Sequence, residues 1–457
     1  MLYLDVSRML SRLSSTSPTG IDRVEFEYAR YFVNHGLMFV AQDGQDVIQV
    51  PRWLAGQVVR HLRSRWNGGE VDVEVITARV ATWRKHSKII RDLSDDEKFF
   101  RELYRLKKPR KRLEYLEKER QGVSNYLGRA PIPLPIALWA LAIAPGIIAK
   151  FVIGRGSEPM PELSISRIAP NITYVNVGHW GLEKTAMLQM LSSAQGVKVA
   201  VYLHDLLPLS HPHLFPEKER GRHQIRMENI EKFADMVLAN SNFTKEEFES
   251  RFKKKKIHSV LEIGAPPLAS EKPTAGERQR QGFVSIGTIE PRKNFAWLVK
   301  SWIEFCQRRP ELVGSERLTI FGKNGWLSSD GHAELVELID RSQNVEIVNG
   351  AGDAVLSARL RSARAYVSAS EVEGWGMPLA EALALGTPVI ASDIAAHREV
   401  TQDKAIYFSI RNEEELHERW SACFDGDRYE RLLNAARTFE PWSWESHFAR
   451  LQSALAS

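Results

Sequence analysis

Ser368-Ala-Ser-Glu-Val-Glu-Gly-Trp-Gly-Met-Pro-Leu-Ala-Glu-Ala-Leu-Ala-Leu-Gly-Thr-Pro-Val-Ile-Ala-Ser392 is the stretch whose reading decides the fold. Arg364 to Ser370 alternates and reads as a strand, and a glycine turn follows at Gly374 and Gly376. Pro378 suits the first position of a helix, where a missing N–H sacrifices no hydrogen bond. Gly386 suits a left-handed C-cap, and Thr387 to Ala391 begins another strand. Strand, tight loop, short helix and strand form a unit of an open α/β sheet. In such sheets the loops at the carboxyl ends of strands carry ligands.

The free N–H groups of this loop and the positive end of the helix dipole favour an anion such as phosphate or diphosphate. Glu373 precedes the glycines, and Glu381 is expected in the first turn of the helix. Carboxylates accept hydrogen bonds from sugar hydroxyls, so an anion cradle between two acids suits a sugar nucleotide. The spacing alone also fits an ordinary strand–turn–helix with two surface glutamates, because Gly-x-Gly is a short signal.

Glu373-Gly-Trp-Gly-Met-Pro-Leu-Ala-Glu381, with its continuation to Val389 and Ala391-Ser392, resembles the Glu-x7-Glu motif of retaining GT-B glycosyltransferases of family 4. Trp375 stands where Phe is more usual. The resemblance covers most of 1–50 and 170–450 but not 51–165. It implies an α/β protein of two Rossmann-like domains facing a central cleft. Residues 1–265 would bind acceptor and carry 51–165 as an atypical basic and apolar insertion. Residues 266–435 would bind the nucleotide sugar. Residues 436–457, opening with Pro441-Trp442-Ser443-Trp444-Glu445, would form a helix crossing back to the first domain.

Composition fits this frame. The 457 residues exceed what one compact core holds. A net charge of +5, from 62 basic and 57 acidic residues, suits anionic substrates or a membrane surface and does not mark a nucleic-acid binder. Two cysteines, Cys306 and Cys423, have no metal-ligand spacing and argue against a disulfide framework. Met1-Leu-Tyr-Leu-Asp5 runs directly into a strand without a signal-peptide pattern, so a cytoplasmic location is expected.

Along the chain, Ser14 to Gly20 reads as a polar loop before a helix running through Phe32. Thr19-Gly20-Ile21-Asp22-Arg23-Val24 resembles the first glycine loop of GT-B N-terminal domains, which places Gly20 and Arg23 at the cleft; a plain β–α connection fits equally. Arg101 to Arg120 holds nine basic and four acidic residues, and Ile132 to Ala149 is uncharged but crowded by prolines. Three readings of that run stand: a covered apolar insertion, an interfacial membrane anchor, or a span. The basic neighbour favours an anionic surface, so 99–155 is the expected contact with the inner face of the cytoplasmic membrane.

Strands are expected at Ile172 to Val177, Val197 to Leu203 and Ala234 to Ala239, each ending in polar residues. His179, His204, Asp205 and Ser241 follow them. A lone histidine at a strand end is often structural. His204-Asp205-Leu-Leu-Pro208 resembles the His-Asp-Leu segment that lines the family-4 cleft, which gives His204 a role at the sugar or reacting centre. After a linker from Ile263 to Arg280, Gly282 to Ile286 opens the second domain.

The next turn, Gly287-Thr288-Ile-Glu-Pro-Arg292-Lys293-Asn294, brings two cations to a strand's carboxyl end, where they would neutralise a diphosphate leaving group. It resembles the family-4 phosphate loop, with Thr288 at the usual Arg position. The strand Leu318 to Phe321 leads to Gly322-Lys323-Asn-Gly-Trp326, a loop which by resemblance borders the donor.

The resemblance therefore implies that Glu373, Arg292, Lys293 and His204 carry the chemistry. Gly287, Thr288, Lys323, Gly374, Trp375, Gly376, Met377, Pro378 and Glu381 would complete donor binding, with Glu381 on the ribose. Gly20, Arg23, His179 and Asp205 would lie on the acceptor side. No Asp-x-Asp accompanies the diphosphate site, so neither a metal nor another cofactor is expected. A nucleotide sugar, GDP-mannose foremost, and a lipid-linked or lipopolysaccharide oligosaccharide acceptor are the expected partners. Two alternatives use the same fold: a membrane-associated assembly subunit with a degenerate site, and a sugar-phosphate phosphorylase, which lacks a visible lysine-cofactor motif here.

Overall fold

The computed structural model of the protein describes residues 1–95, 171–253, 255–265 and 280–456. The basic run 101–120, the apolar run 132–149 and most of the linker lie outside the described residues. No described helix is long and apolar enough to cross a membrane.

Two sheets organise the chain. The first contains β1 (Leu2–Asp5), β2 (Met38–Asp43), β3 (Asp46–Val50), β4 (Ile172–Asn176), β5 (Val197–Leu203), β6 (Met236–Ala239) and β7 (Ser259–Val260), in the order β3-β2-β1-β4-β5-β6-β7. The second contains β8 (Phe283–Ile286), β9 (Leu318–Phe321), β10 (Val345–Val348), β11 (Ala365–Ser368), β12 (Val389–Ser392) and β13 (Ile406–Phe408), in the order β10-β9-β8-β11-β12-β13. Every pairing is parallel except the β2–β3 hairpin, whose tight turn includes Gly44 at φ 64°. Two Rossmann-like sheets of this kind make the GT-B architecture.

Parallel strands covered by helices on both faces are apolar throughout rather than alternating. This corrects the reading of the strand before the glycine loop. It spans Ala365–Ser368 and all four residues are buried, so it does not alternate. Each sheet also starts in its middle and grows outward in both directions. Strand order therefore reverses between β1 and β4 and between β8 and β11, and ligands of open α/β sheets bind in the crevice at such points. The loops that follow β8 and β11 are the two cationic and glycine-rich segments singled out above.

Of the span 51–165, the described part is two helices, Arg52–Trp66 and Val73–Asp95. The first buries Leu54, Ala55, Val58, Val59, Leu62 and Trp66 in the N-terminal core. The last helix, Trp444–Ala456, packs on the helix Gly20–Asn34. Phe448 stacks on Tyr31 with centroids 3.9 Å apart. Buried His447 bridges the Glu262 carbonyl at 2.8 Å and the Tyr28 hydroxyl at 2.7 Å.

Candidate active site

A cavity of about 590 Å³ lies between the sheets and is lined by both domains, a volume in the usual range for ligand sites. All seventeen of the sequence-predicted site residues line it, seven of them on the glycine loop and the helix after β11 and five in the N-terminal domain.

The C-terminal wall holds the charge. After β8, Pro291–Lys293 forms a single 3-10 turn, and Asn294, left-handed at φ 55°, redirects the chain into the helix Phe295–Arg308. This places Arg292 and Lys293 side by side against Glu373. Both form ion pairs with its carboxylate, and Ser370 Oγ donates to it at 2.9 Å. Arg292 Nε also meets Glu290 at 2.5 Å. All four charged groups are largely buried. Burial alone would raise the Glu373 carboxyl, but the Arg292 and Lys293 charges overcome it and hold the group well below the usual carboxylate range. Without ligand, the cation pair is thus already neutralised by its own glutamates.

Two glycines permit this packing. Gly376 lies at φ 95°, a conformation open chiefly to glycine. At Gly374 a Cβ would collide with the His204 carbonyl oxygen and come within 2.8 Å of Asp205 Cβ, so only glycine lets the two domains meet there. Two sequence expectations change locally. The helix begins at Met377, which puts Pro378 second, and Glu381 falls in the second turn rather than the first, because Gly376 itself is the cap. Gly386 is left-handed at φ 71° just past the helix. Glu381 is partly buried in the cleft; burial raises its carboxyl while the nearby Arg23 guanidinium opposes that rise.

The N-terminal wall is less charged. Thr19 caps the Gly20–Asn34 helix in a reciprocal capping box with Asp22, which sets Gly20 at the cleft with its Cα facing Met377. Arg23 reaches across and pairs through both terminal nitrogens with Asp353. His204 donates from Nε2 to the Val177 carbonyl at 2.8 Å, and burial pushes its imidazole down to about 4. His179, left-handed at φ 56°, donates to the Tyr202 carbonyl at 3.0 Å. Further contacts tie the halves. Ser241 Oγ donates to the Gly374 carbonyl at 2.9 Å, and Glu399 accepts from Asn242 N at 2.7 Å. Trp326 donates from Nε1 to the Leu214 carbonyl at 3.1 Å, so its indole is a strut across the cleft as well as part of its lining. Gly287, Thr288 and Lys323 line the floor.

Sequence reasoning missed Asp353, Glu399, Glu219, His223 and Arg226. The last three recur at helical spacing on Glu217–Phe233, a signal present in the sequence. Asp353 and Glu399 act on partners hundreds or scores of residues away and leave no local trace.

The family model described as "Glycosyl transferases group 1" matches residues 280–425, the segment that carries Arg292, Lys293, Glu373 and Glu381. Residues 280–425 thus form a group 1 glycosyltransferase segment within the chain. The serotype-specific mannosyltransferase WbdA of Escherichia coli is 26% identical to this chain over 263 residues, 53% of this chain and 32% of WbdA. The O-antigen chain mannosyltransferase B of Escherichia coli is 32% identical over 131 residues, 28% of this chain and 32% of that protein. The chain thus spans about a third of the length of these curated relatives. Among solved structures, a mutant of S. aureus TarM in complex with Fondaparinux, α-GlcNAc-glycerol and UDP superposes with a TM-score of 0.50 at 15% identity, over 63% of this chain and 55% of that one. That likeness shows the shared GT-B fold.

Proposed function

We propose that the protein is a retaining hexosyltransferase that moves mannose from GDP-mannose to a lipid-linked or lipopolysaccharide oligosaccharide. The observation that carries the proposal is the Arg292–Lys293–Glu373 cluster at the β8/β11 switch point, facing His204 across the cleft. Incoming diphosphate takes over the cations, and Glu373, released from them, accepts from donor-sugar hydroxyls. Glu381 accepts from the nucleotide ribose. As the bond from the anomeric carbon to the phosphate oxygen breaks, Arg292 and Lys293 stabilise the charge growing on the leaving diphosphate. In the retaining course the acceptor oxygen bonds to the same face of that carbon, and its proton passes to the departing phosphate oxygen.

Mannose as the transferred sugar is supported by the two mannosyltransferase relatives, and the basic and apolar run at 99–155 supports a membrane-bound acceptor at the cytoplasmic face. The test is a donor panel of GDP-mannose, UDP-glucose and UDP-N-acetylglucosamine with the purified full chain, read by melting shift and donor hydrolysis. NMR of any product gives its anomeric configuration. GDP-mannose should give the largest shift; a chain that responds to no donor is not a transferase, and one that prefers a UDP-sugar is not a mannosyltransferase.

A further inference from the structure

Three imidazoles crowd the N-terminal wall. Ring centroids of His179 and His204 are 4.9 Å apart, and those of His179 and His223 are 6.4 Å apart. Each ring places Nε2 on a main-chain carbonyl: His179 on Tyr202 at 3.0 Å, His204 on Val177 at 2.8 Å and His223 on Asp205 at 3.2 Å. A carbonyl can only accept, so a neutral ring facing one carries its hydrogen on Nε2 and keeps Nδ1 as a bare acceptor. Burial disfavours the charged form of all three.

His223 belongs to the Glu217–Phe233 helix, where Glu219 and Arg226 stand on the same face, and all three line the cavity. The guanidiniums of this wall are already paired, Arg8 with Asp22 at 2.7 Å and Arg226 with Glu183 at 3.0 Å. Bare ring nitrogens, neutralised cations and the Glu219 carboxylate, itself paired with Arg222 at 3.2 Å, offer little to an anion. They offer acceptors to a ligand rich in hydroxyls. The rings are not arranged for a metal ion either, since no group of three or more His, Cys, Asp or Glu among the described residues is so placed. The location fits an acceptor, because the His204 carbonyl abuts Gly374 of the donor loop and His179 and His223 extend the wall beyond it.

We propose that His179, His223 and Glu219 form an acceptor subsite that grips neighbouring hydroxyls of an uncharged terminal sugar, with His204 between this subsite and the donor. The proposal rests on the glycosyltransferase reading and narrows its acceptor to a neutral pyranoside end rather than a phosphorylated or carboxylated one.

The full chain, saturated with GDP or UDP, is titrated with methyl glycosides of mannose, glucose, galactose and N-acetylglucosamine, and with mannose 6-phosphate, by saturation-transfer NMR. At least one neutral glycoside should bind. Its affinity should fall about ten-fold on losing one such hydrogen bond in His223→Phe or Glu219→Ala, and recover in part in His223→Gln, which keeps an acceptor. Glu219 is half exposed, so its variant tests the same wall without disturbing a core. The melting shift given by nucleoside diphosphate should match wild type in all three variants. The proposal is overturned if no neutral glycoside binds, if mannose 6-phosphate binds more tightly, or if His223→Phe and Glu219→Ala both keep wild-type affinity. Absence of any nucleotide-induced melting shift in the wild type would instead sink the transferase reading itself.

Discussion

Replacing Glu373 by Gln tests whether the cation pair is held ready for a diphosphate. The side chains of Arg292 and Lys293 are 18% and 12% exposed, and their shared carboxylate 7%. Removing one partner of a buried ion pair costs about 3–5 kcal/mol. Arg292 keeps Glu290, so Lys293 is the orphan and the lower end, about 3 kcal/mol, applies. For a folding unit of this size that is a fall in Tm of about 6–12 °C. A nucleoside diphosphate would then supply the missing counter-charge without displacing a carboxylate. Its stabilising shift should exceed the wild-type shift by at least about 1 kcal/mol, or about 2–4 °C. Differential scanning fluorimetry with and without saturating GDP or UDP reads both effects. The sign with pH follows from the depressed carboxyl. Its stabilisation is complete above the unfolded value near ~4.3 and fades as pH falls toward the lower folded value. The difference between variant and wild type should therefore be flat from about pH 8 to about pH 5.5 and shrink in stronger acid. Equal melting temperatures, or equal nucleotide shifts in the two proteins, would refute the reasoning.

Gly374→Ala places a methyl group on the His204 carbonyl, so the donor loop must retreat from the N-terminal wall. Turnover should drop at least about 100-fold with secondary structure retained by circular dichroism, the penalty of a displacement near 1 Å in a reacting geometry. Arg23→Ala and Asp353→Ala should each lower kcat/KM, and the double variant should be no worse than either. A double-mutant cycle would give a coupling of about 1–3 kcal/mol. Burial pushes the His447 imidazole down to about 4, below the ordinary value near ~6.5, so stability should be lost as pH falls between those values. His447→Gln should remove about 2 kcal/mol of that loss, measured by urea unfolding at about pH 7.5 and about pH 5.

Much of the fold was legible because parallel strands leave short apolar runs bounded by polar ends. Val197–Leu203 and Leu318–Phe321 stand where the sequence places them. The β2–β3 hairpin and β13 were passed over: the hairpin sits outside the β–α rhythm, and β13 is a three-residue edge. The candidate site was legible on its C-terminal side because one loop and one helix start carry most of it. The N-terminal side was legible only where a strand ends. The Glu217–Phe233 helix is polar nearly all round, so Glu219, His223 and Arg226 read as solvated positions until the cleft gives that face a purpose. The Arg23–Asp353 pair spans 330 residues, a distance that no local pattern bridges.

The two walls are matched in an unequal way, and the inequality follows from their charges. On the C-terminal side Arg292 and Lys293 meet Glu290 and Glu373, so the cluster carries two positive and two negative charges before a ligand arrives. A diphosphate gains there only by displacing a carboxylate, and the displaced Glu373 becomes free to accept from a sugar hydroxyl. A bare anion such as inorganic phosphate pays the same displacement without giving Glu373 a new partner, which selects for phosphate joined to a sugar. On the N-terminal side the imidazoles are neutral and the guanidiniums are spoken for, so hydroxyls rather than charge decide binding. The closeness of the walls at Gly374 and His204 then does the rest. In the proposed reaction it would bring an uncharged acceptor against the cluster where charge is exchanged, and leave little room for water to take the acceptor's part.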